Sequence, residues 1–324
     1  MVANELQPLS DYVKELVKSE NPVLTMAASH FFDQRQGKRF RPTIVALMAQ
    51  AVSSNSPELY GGQRIKEKQL QLGQITEMIH VASLIHDDVL DEADMRRGGA
   101  SVHTMYTNKV AVLAGDYLLA RASVLLARLQ HFQVVEVMAS ALDALVQGEI
   151  MQARSKKEEL LDINFYLRKS YFKTASLICA SCKSAALLSG YDEKDTITIA
   201  AEEFGYHLGM AYQIIDDILD FTGASAALGK PAQADMQLGL ATAPILYASE
   251  SIPELRPLIQ RRFKEKGDVQ RAVELTVSTD AVAKSYSLAE FHAQRGVDAI
   301  LRLPASDARS ALLKILHLAL ARQS

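Results

Sequence analysis

The sequence predicts an all-α fold, and three observations carry that prediction. Apolar residues recur at helical spacing along nearly the whole chain, and no segment alternates with period two for long,. Glycine and proline are sparse, 16 and 9 in 324 residues, whereas a β architecture needs many turns,. With 48% hydrophobic residues the chain can bury a substantial core,.

Taken in order, the periodicity places a first amphipathic, acidic helix at 5–18, then helices at 22–35 and 42–53 flanking the polar break GKRFRP at 37–42,. A long run at 65–92, apolar on nearly every side, ends before the second break, DMRRGGASVH at 94–103. Two long helices follow at 108–128 and 132–154, then 158–170 and 173–189. The helix at 194–221 runs into the third break, FTGASAALGKPAQAD at 221–235. Segments 239–248, 254–265, 268–277, 280–302 and 305–322 complete the chain. No Gly/Ser/Pro-rich linker divides it and no repeat period is visible, so one domain over 1–324 is expected,.

Composition excludes several function classes. Lys+Arg 35 against Asp+Glu 38 gives a net charge of −3, which does not suit a nucleic-acid binder,. Cys179 and Cys182 form a CxxC, but inside the apolar run SLICASCKSAALL, with no second pair and no βαβ pattern,. They read as reduced structural thiols in a reducing compartment. No uncharged run reaches the length of a membrane span, so the chain is not expected to be transmembrane. The opening residues MVANELQPLS resemble neither a signal nor a transit peptide,.

The chemistry lies in two acidic motifs. The first is Asp87-Asp88-Val89-Leu90-Asp91. At about 100° per residue, with His80 as zero, Asp87 points to about −20°, Asp91 to about +20° and Ser83 to about −60°,. Asp88 lies off that stripe, near about +80°. The second motif is Asp216-Asp217-Ile218-Leu219-Asp220, whose carboxylates share a face with Gln213 on an otherwise apolar helix,. Close carboxylates on hydrophobic helices repel each other and are costly to desolvate, so they imply a highly charged cationic partner. Magnesium fits, because it takes oxygen ligands and is commonly held by one or two carboxylates plus substrate phosphates. There is no EF-hand loop and no His/Cys set for zinc. A single DDxxD is ordinarily a solvated helix end, but two copies, each followed by a cationic loop, argue against that reading.

A diphosphate bound with magnesium also needs protein cations. Lys38, Arg39 and Arg41 cluster before a helix; Arg96 and Arg97 follow the first motif; Lys173-Thr174 opens a helix; and Lys230 follows Gly229 after the second motif. Arginine offers phosphate a planar fork and lysine a point charge.

The segments GKRFRP, HVASLIHDDVLDEADMRRG, FKTASL, GMAYQIIDDILDFTG and LGKPAQADMQLGLATAPILYA together closely resemble the trans-isoprenyl diphosphate synthases. Within them the chain is most similar to long-chain all-trans-polyprenyl (solanesyl/decaprenyl-type) diphosphate synthases, which make quinone side chains such as that of ubiquinone. The similarity runs from residue 6 to 322. It implies an antiparallel helical bundle around a deep central cavity, the isoprenoid synthase type, usually homodimeric and in some members joined by a second subunit. It assigns catalysis to Asp87, Asp91, Asp216 and Lys173. Asp87, Asp91, Asp216, Asp217 and Asp220 would hold Mg2+, three ions per active site. Lys38, Arg41, His80 and Arg97 would bind isopentenyl diphosphate. Arg96, Lys173, Thr174, Gln213 and Lys230 would bind the allylic partner, farnesyl or geranylgeranyl diphosphate. Loss of diphosphate leaves an allylic carbocation, which the alkene of isopentenyl diphosphate attacks before a proton departs. No side-chain nucleophile is required. Small residues at Ala82 and Ser83, where short-chain members carry aromatics, imply a long product. By the same resemblance such an enzyme is mitochondrial in a eukaryote and cytoplasmic in a bacterium.

Four other readings compete. A farnesyl or geranylgeranyl diphosphate synthase would share every motif but carry bulk near Ala82 and Ser83. A class I terpene cyclase would replace the second motif and lack GKRFRP. A non-catalytic synthase subunit would have damaged aspartates. A helical scaffold would show a repeat.

Overall fold

The computed structural model describes residues 9–33, 39–53, 63–96, 99–223 and 233–322. The all-α expectation holds: the only strands among them are β1 (Met95–Arg96) and β2 (Gly99–Ala100), an antiparallel pair of two residues each. The helices group into two compact units. One comprises Met1–Leu142, Ala180–Glu202 and Ile300–Leu312; the other comprises Asp143–Cys179, Glu203–Ala299 and Leu313–Ser324.

The first unit contains α1 (Leu9–Leu16), α2 (Pro22–Asp33), α3 (Phe40–Ser53) and the 28-residue α4 (Gln63–Leu90). After the β pair come α5 (Val102–Met105), α6 (Asn108–Arg128) and the start of α7 (Phe132–Arg154). Helix α4 packs on both α3 and α6. Leu72, Ile75, Met78, Ile79, Val81, Ala82 and Ile85 are all buried, so α4 is apolar nearly all round, as the sequence implied. Helix α3 begins earlier than expected, with Arg41 and Pro42 inside it; its first turn needs no N–H from the proline,. Arg39 precedes it at φ 44, with its carbonyl accepting from the Thr43 amide and hydroxyl.

Helix α6 holds no uncharged run of membrane-spanning length, as expected, yet it is strongly apolar. By length and composition it is apolar enough to cross a membrane. Asp116 and Arg121 interrupt it, which is why no uncharged run stood out in the sequence. Its Ala111, Ala114, Gly115, Leu118, Ala122 and Leu125 row is buried, and Arg121 Nε donates to the Leu16 carbonyl at 2.7 Å. Val112, Leu113 and Val124 on its other side are exposed.

The second unit contains the end of α7, a short 3-10 turn (Glu159–Leu161), α8 (Ile163–Ser170) and a π-helical segment (Tyr171–Ala175) that leads into α9 (Ser176–Leu188), whose larger part belongs to the first unit. Asp162, extended and accepting from the Asn164 amide at 2.9 Å, separates the first two, so the expected helix 158–170 is split,. The 27-residue α10 (Thr196–Thr222) carries the second motif. Then come α11 (Ala234–Gln237), α12 (Ala243–Ser251), α13 (Leu255–Gln260), α14 (Asp268–Val277), α15 (Ala281–Ile300) and α16 (Asp307–Leu320). Helix α13 stops short of 265 because Arg262 and Phe263 are left-handed, at φ 57 and 53. One cluster packs Ile214, Ile215, Ile218 and Leu219 of α10 against Tyr166, Leu246 and Ala289, with Leu320 at its edge.

Two glycines of α10 permit a close crossing within this unit. A Cβ on Gly209 would lie 2.5 Å from Ala175 Cα, and one on Gly205 2.8 Å from Cys179 Cα. Cys179 and Cys182 are buried and not joined in a disulfide, as expected.

Candidate active site

Both aspartate motifs occupy the C-terminal ends of long helices whose last turns hold no basic residue. The helix dipole puts partial negative charge there, so carboxylates at that end are destabilised until a cation arrives. Helix α4 is stopped by Glu92, left-handed at φ 51, with the Ala93 amide donating to the Asp88 carbonyl at 2.9 Å. That Schellman-type ending fixes Asp87 and Asp91 one turn apart, both partly exposed,.

Asp88 does something else. It is 1% exposed, and its Oδ1 accepts from Arg96 Nε at 2.6 Å and Nη2 at 2.5 Å. The β1–β2 pair folds Arg96 back onto the helix end. In this arrangement Arg96, expected at the allylic diphosphate, is committed to a buried carboxylate.

Elsewhere in the same unit Arg41 Nη1 lies 2.9 Å from His80 Nε2. Arginine can only donate, so His80 accepts as neutral imidazole with its proton on Nδ1. The structure therefore joins two residues expected to bind isopentenyl diphosphate. Ser83 donates to the His80 carbonyl at 2.8 Å and shares the face of Asp87,. Ala82 is fully buried on another side of α4.

In the second unit the three carboxylates differ sharply. Asp217 accepts from the Tyr166 hydroxyl at 2.6 Å and from Gln213 Nε2 at 2.7 Å. Its carboxyl is pushed up to about 8, mainly by burial and then by the Asp235 charge,. Asp220, also buried, accepts from the amides of Ala234 and Asp235 at 3.1 and 3.2 Å, fixing the start of α11. Asp216 is partly exposed and meets Arg322 Nη1 at 2.6 Å. As arranged, Asp217 and Asp220 are committed to protein donors, while Asp216 is compensated by a full positive charge.

Thr174 and Lys173 lie on the π segment. The Thr174 hydroxyl donates to Gln213 Oε1 at 2.5 Å, which extends the chain Thr174–Gln213–Asp217–Tyr166. Lys173 Nζ meets Glu149 Oε1 at 2.5 Å and donates to Gln152 Oε1 at 3.1 Å. Gly148 makes room, since a Cβ there would sit 2.8 Å from Lys173 Cγ. Burial lowers the pKa of Lys169, one turn earlier, against the pull of Asp217,.

Among the described residues no three or more His, Cys, Asp or Glu side chains converge into a metal cage. Magnesium needs no such cage where substrate phosphates complete its shell. Asp87 with Asp91, and Asp216, are the partly exposed carboxylates suited to that partial role, whereas Asp217 and Asp220 are buried and engaged by protein donors. Lys38, Arg97 and Lys230 lie outside the described residues. Sequence reasoning missed Tyr166, Lys169, Glu149 and Arg322. Tyr166 and Lys169 had a usable signal, standing two turns and one turn before Lys173 at helical spacing,. Arg322 had none.

The chain is similar to known proteins along most of its length. The chain is 45% identical over 313 residues to the decaprenyl-diphosphate synthase of Dictyostelium discoideum, covering 97% of this chain and 66% of that protein. It is 44% identical over 315 residues to solanesyl-diphosphate synthase 1, mitochondrial, of Oryza sativa, covering 95% and 73%. The crystal structure of a Caulobacter crescentus polyprenyl synthase complexed with calcium and isoprenyl diphosphate superposes with a TM-score of 0.86 at 30% identity, covering 100% of this chain and 96% of that one. Residues 21–276 match the sequence profile of the polyprenyl synthetases, and they include both aspartate-tipped helices and the π segment between them in sequence. The chain therefore belongs to the polyprenyl synthetase family.

Proposed function

We propose that the protein elongates an allylic diphosphate, farnesyl or geranylgeranyl, with isopentenyl diphosphate to a long all-trans polyprenyl diphosphate for a quinone side chain. The carrying observation is the pair of aspartate motifs at the C-terminal ends of two long helices whose last turns hold no basic residue, where bound cations are favoured. The names of the Dictyostelium and rice relatives support a decaprenyl or solanesyl product, and the Caulobacter complex pairs this fold with a divalent cation and an isoprenyl diphosphate.

Asp87, Asp91 and Asp216 would hold magnesium, three ions per site when substrate phosphates contribute. When bound, magnesium would neutralise the leaving diphosphate and so favour ionisation at the allylic carbon. Arg41 with neutral His80 would hold the diphosphate of isopentenyl diphosphate. Lys173 would hold the allylic diphosphate, with Thr174 and Gln213 aimed by Asp217 and Tyr166. Lys38, Arg97, Arg96 and Lys230 would add positive charge as the resemblance implies, Arg96 after sharing or leaving Asp88.

The protein is a single catalytic domain on this reading, because each unit is assembled from three separate stretches of chain. It is a homodimer: Val112, Leu113 and Val124 of α6 leave an exposed apolar row, and Phe132 at the start of α7 is 93% exposed,. Its compartment follows its source, mitochondrial in a eukaryote, as the rice relative's name indicates for that protein, or cytoplasmic in a bacterium.

The deciding experiment incubates the protein with farnesyl diphosphate, labelled isopentenyl diphosphate and Mg2+, then chromatographs the dephosphorylated products. A solanesyl- to decaprenyl-length alcohol is expected. Termination at geranylgeraniol, or a cyclic hydrocarbon, would overturn the reading.

A further inference from the structure

We propose that Arg322 is a resident counter-cation of Asp216, which yields that carboxylate to a divalent metal only when phosphate oxygens are present to receive the guanidinium. The inference rests on the reading of Asp216 as a magnesium ligand and deepens it.

Three features build this contact. Arg322 Nη1 lies 2.6 Å from Asp216 Oδ1, and both side chains are only about a quarter exposed, 23% and 29%. The guanidinium carbon stands 4.6 Å from the ring centroid of Tyr212, one turn before Asp216 on the same face of α10,. The backbone that delivers it is anchored: Leu320 packs on the cluster containing Ile214 and Ile218, and the Ala321 amide donates to the His317 carbonyl at 2.9 Å. The arginine is thus held by an apolar anchor, a ring face and a carboxylate.

The other two aspartates of the motif show why this one is distinctive. Asp217 accepts neutral hydrogen bonds and Asp220 accepts backbone amides. Asp216 meets an arginine, and it is the most exposed of the three. A divalent ion and a guanidinium cannot share one carboxylate oxygen without strong repulsion. Metal entry at Asp216 therefore requires Arg322 to move. In water alone it would exchange an ion pair for solvent; beside a diphosphate it gains a bidentate partner. Metal and diphosphate binding are then coupled, and the coupling is reciprocal.

The test measures Mn2+ binding to the intact, magnesium-stripped protein, by electron paramagnetic resonance of the free ion, without any diphosphate. Arg322→Gln should bind Mn2+ at the second motif roughly fivefold more tightly, the size of a partly exposed ion pair. The gain should vanish in the Arg322→Gln/Asp216→Asn double variant, with binding at Asp87 and Asp91 unchanged. Unchanged or weaker Mn2+ binding in a folded Arg322→Gln protein would leave the contact as a structural clasp and overturn the proposal. If the gain persists in the double variant, the assignment of Asp216 as a ligand fails instead, a separable result. Should Arg322→Gln not fold, Tyr212→Leu loosens the same arginine while keeping the helix. It should tighten Mn2+ binding in the same direction by a smaller factor, and no change there would equally count against the proposal.

Discussion

Asp87 and Asp88 are adjacent, identical in type and differently employed. Asp87→Ala or Asp91→Ala is expected to lower turnover by several orders of magnitude while the unfolding midpoint stays near that of the parent. Asp88 lies off the stripe by the helical count, so Asp88→Ala should lower turnover less than the other two. Its burial against Arg96 now gives a sharper expectation: Asp88→Ala strands a partly buried guanidinium and should destabilise the protein by about 3 kcal/mol. Denaturant titration of the three variants checks this, and a parallel loss of stability at all three positions would show that they share one role. Steady-state kinetics test the substrate assignments. Arg41→Ala or His80→Ala should chiefly raise KM for isopentenyl diphosphate, and Lys173→Ala that for the allylic partner. The stripe was legible because angle follows from spacing alone. The pairing of Asp88 was not, because it depends on a two-residue β turn that returns Arg96 to the helix end.

Helix α10 depends on what it touches. Gly209→Ala would force a methyl within 2.5 Å of Ala175 Cα and drive the helix off the π segment. We expect a stability loss of about 1–3 kcal/mol, and a fall in turnover as Thr174 and Gln213 separate; chemical unfolding and kinetics would report both. The same helix pairs His207 with His292 of α15, their Nδ1 atoms 3.0 Å apart. Burial, the largest cause for each, lowers both pKa values; His292 falls to about 4 and also feels His207. Arg295 lowers His207 further, while Glu203 and Asp298 oppose it. An unfolded histidine takes up a proton near pH 6.5, so this contribution is complete above that pH and is lost as pH falls toward 4. The parent should lose about 2 kcal/mol of stability between pH 6.5 and 5, and His292→Phe should show a flatter profile in calorimetry. The long helices were legible to within two or three residues because their apolar rows are continuous. Less legible were the ends set by single backbone conformations, such as Asp162 or the left-handed Arg262.

For the molecule as a whole, subunit association and product length are the open quantities. A row of exposed valine and leucine on α6 invites a second copy, so Leu113→Glu should shift sedimentation from dimer to monomer. Product length is tested at Ser83, which shares the Asp87 face one turn of about 5.4 Å earlier, close to one isoprene unit. Ser83→Phe should shorten the product to a few isoprene units with turnover largely retained, read by chromatography of the dephosphorylated alcohols. Ala82→Phe should shorten it too, but with a stability penalty, since Ala82 is fully buried,. The family and its reaction were legible because the motifs are contiguous. Arg322 was not, being 106 residues from its partner with no periodicity to link them.

The π segment at Tyr171–Ala175 carries one further implication. A π turn is an α-helix holding one surplus residue, so everything after it is out of phase by about 100° with everything before it. Lys169 and Tyr166 belong to the earlier phase, Cys179 to the later one. Deleting a single residue there would restore a regular helix that forms readily. It would also rotate Thr174 away from Gln213, or Tyr166 away from Asp217, whichever flank gave way. A protein shortened by one amino acid at that point would keep its helical content and lose its chemistry. The vulnerability is one of phase, invisible to any alignment that scores residue identity alone.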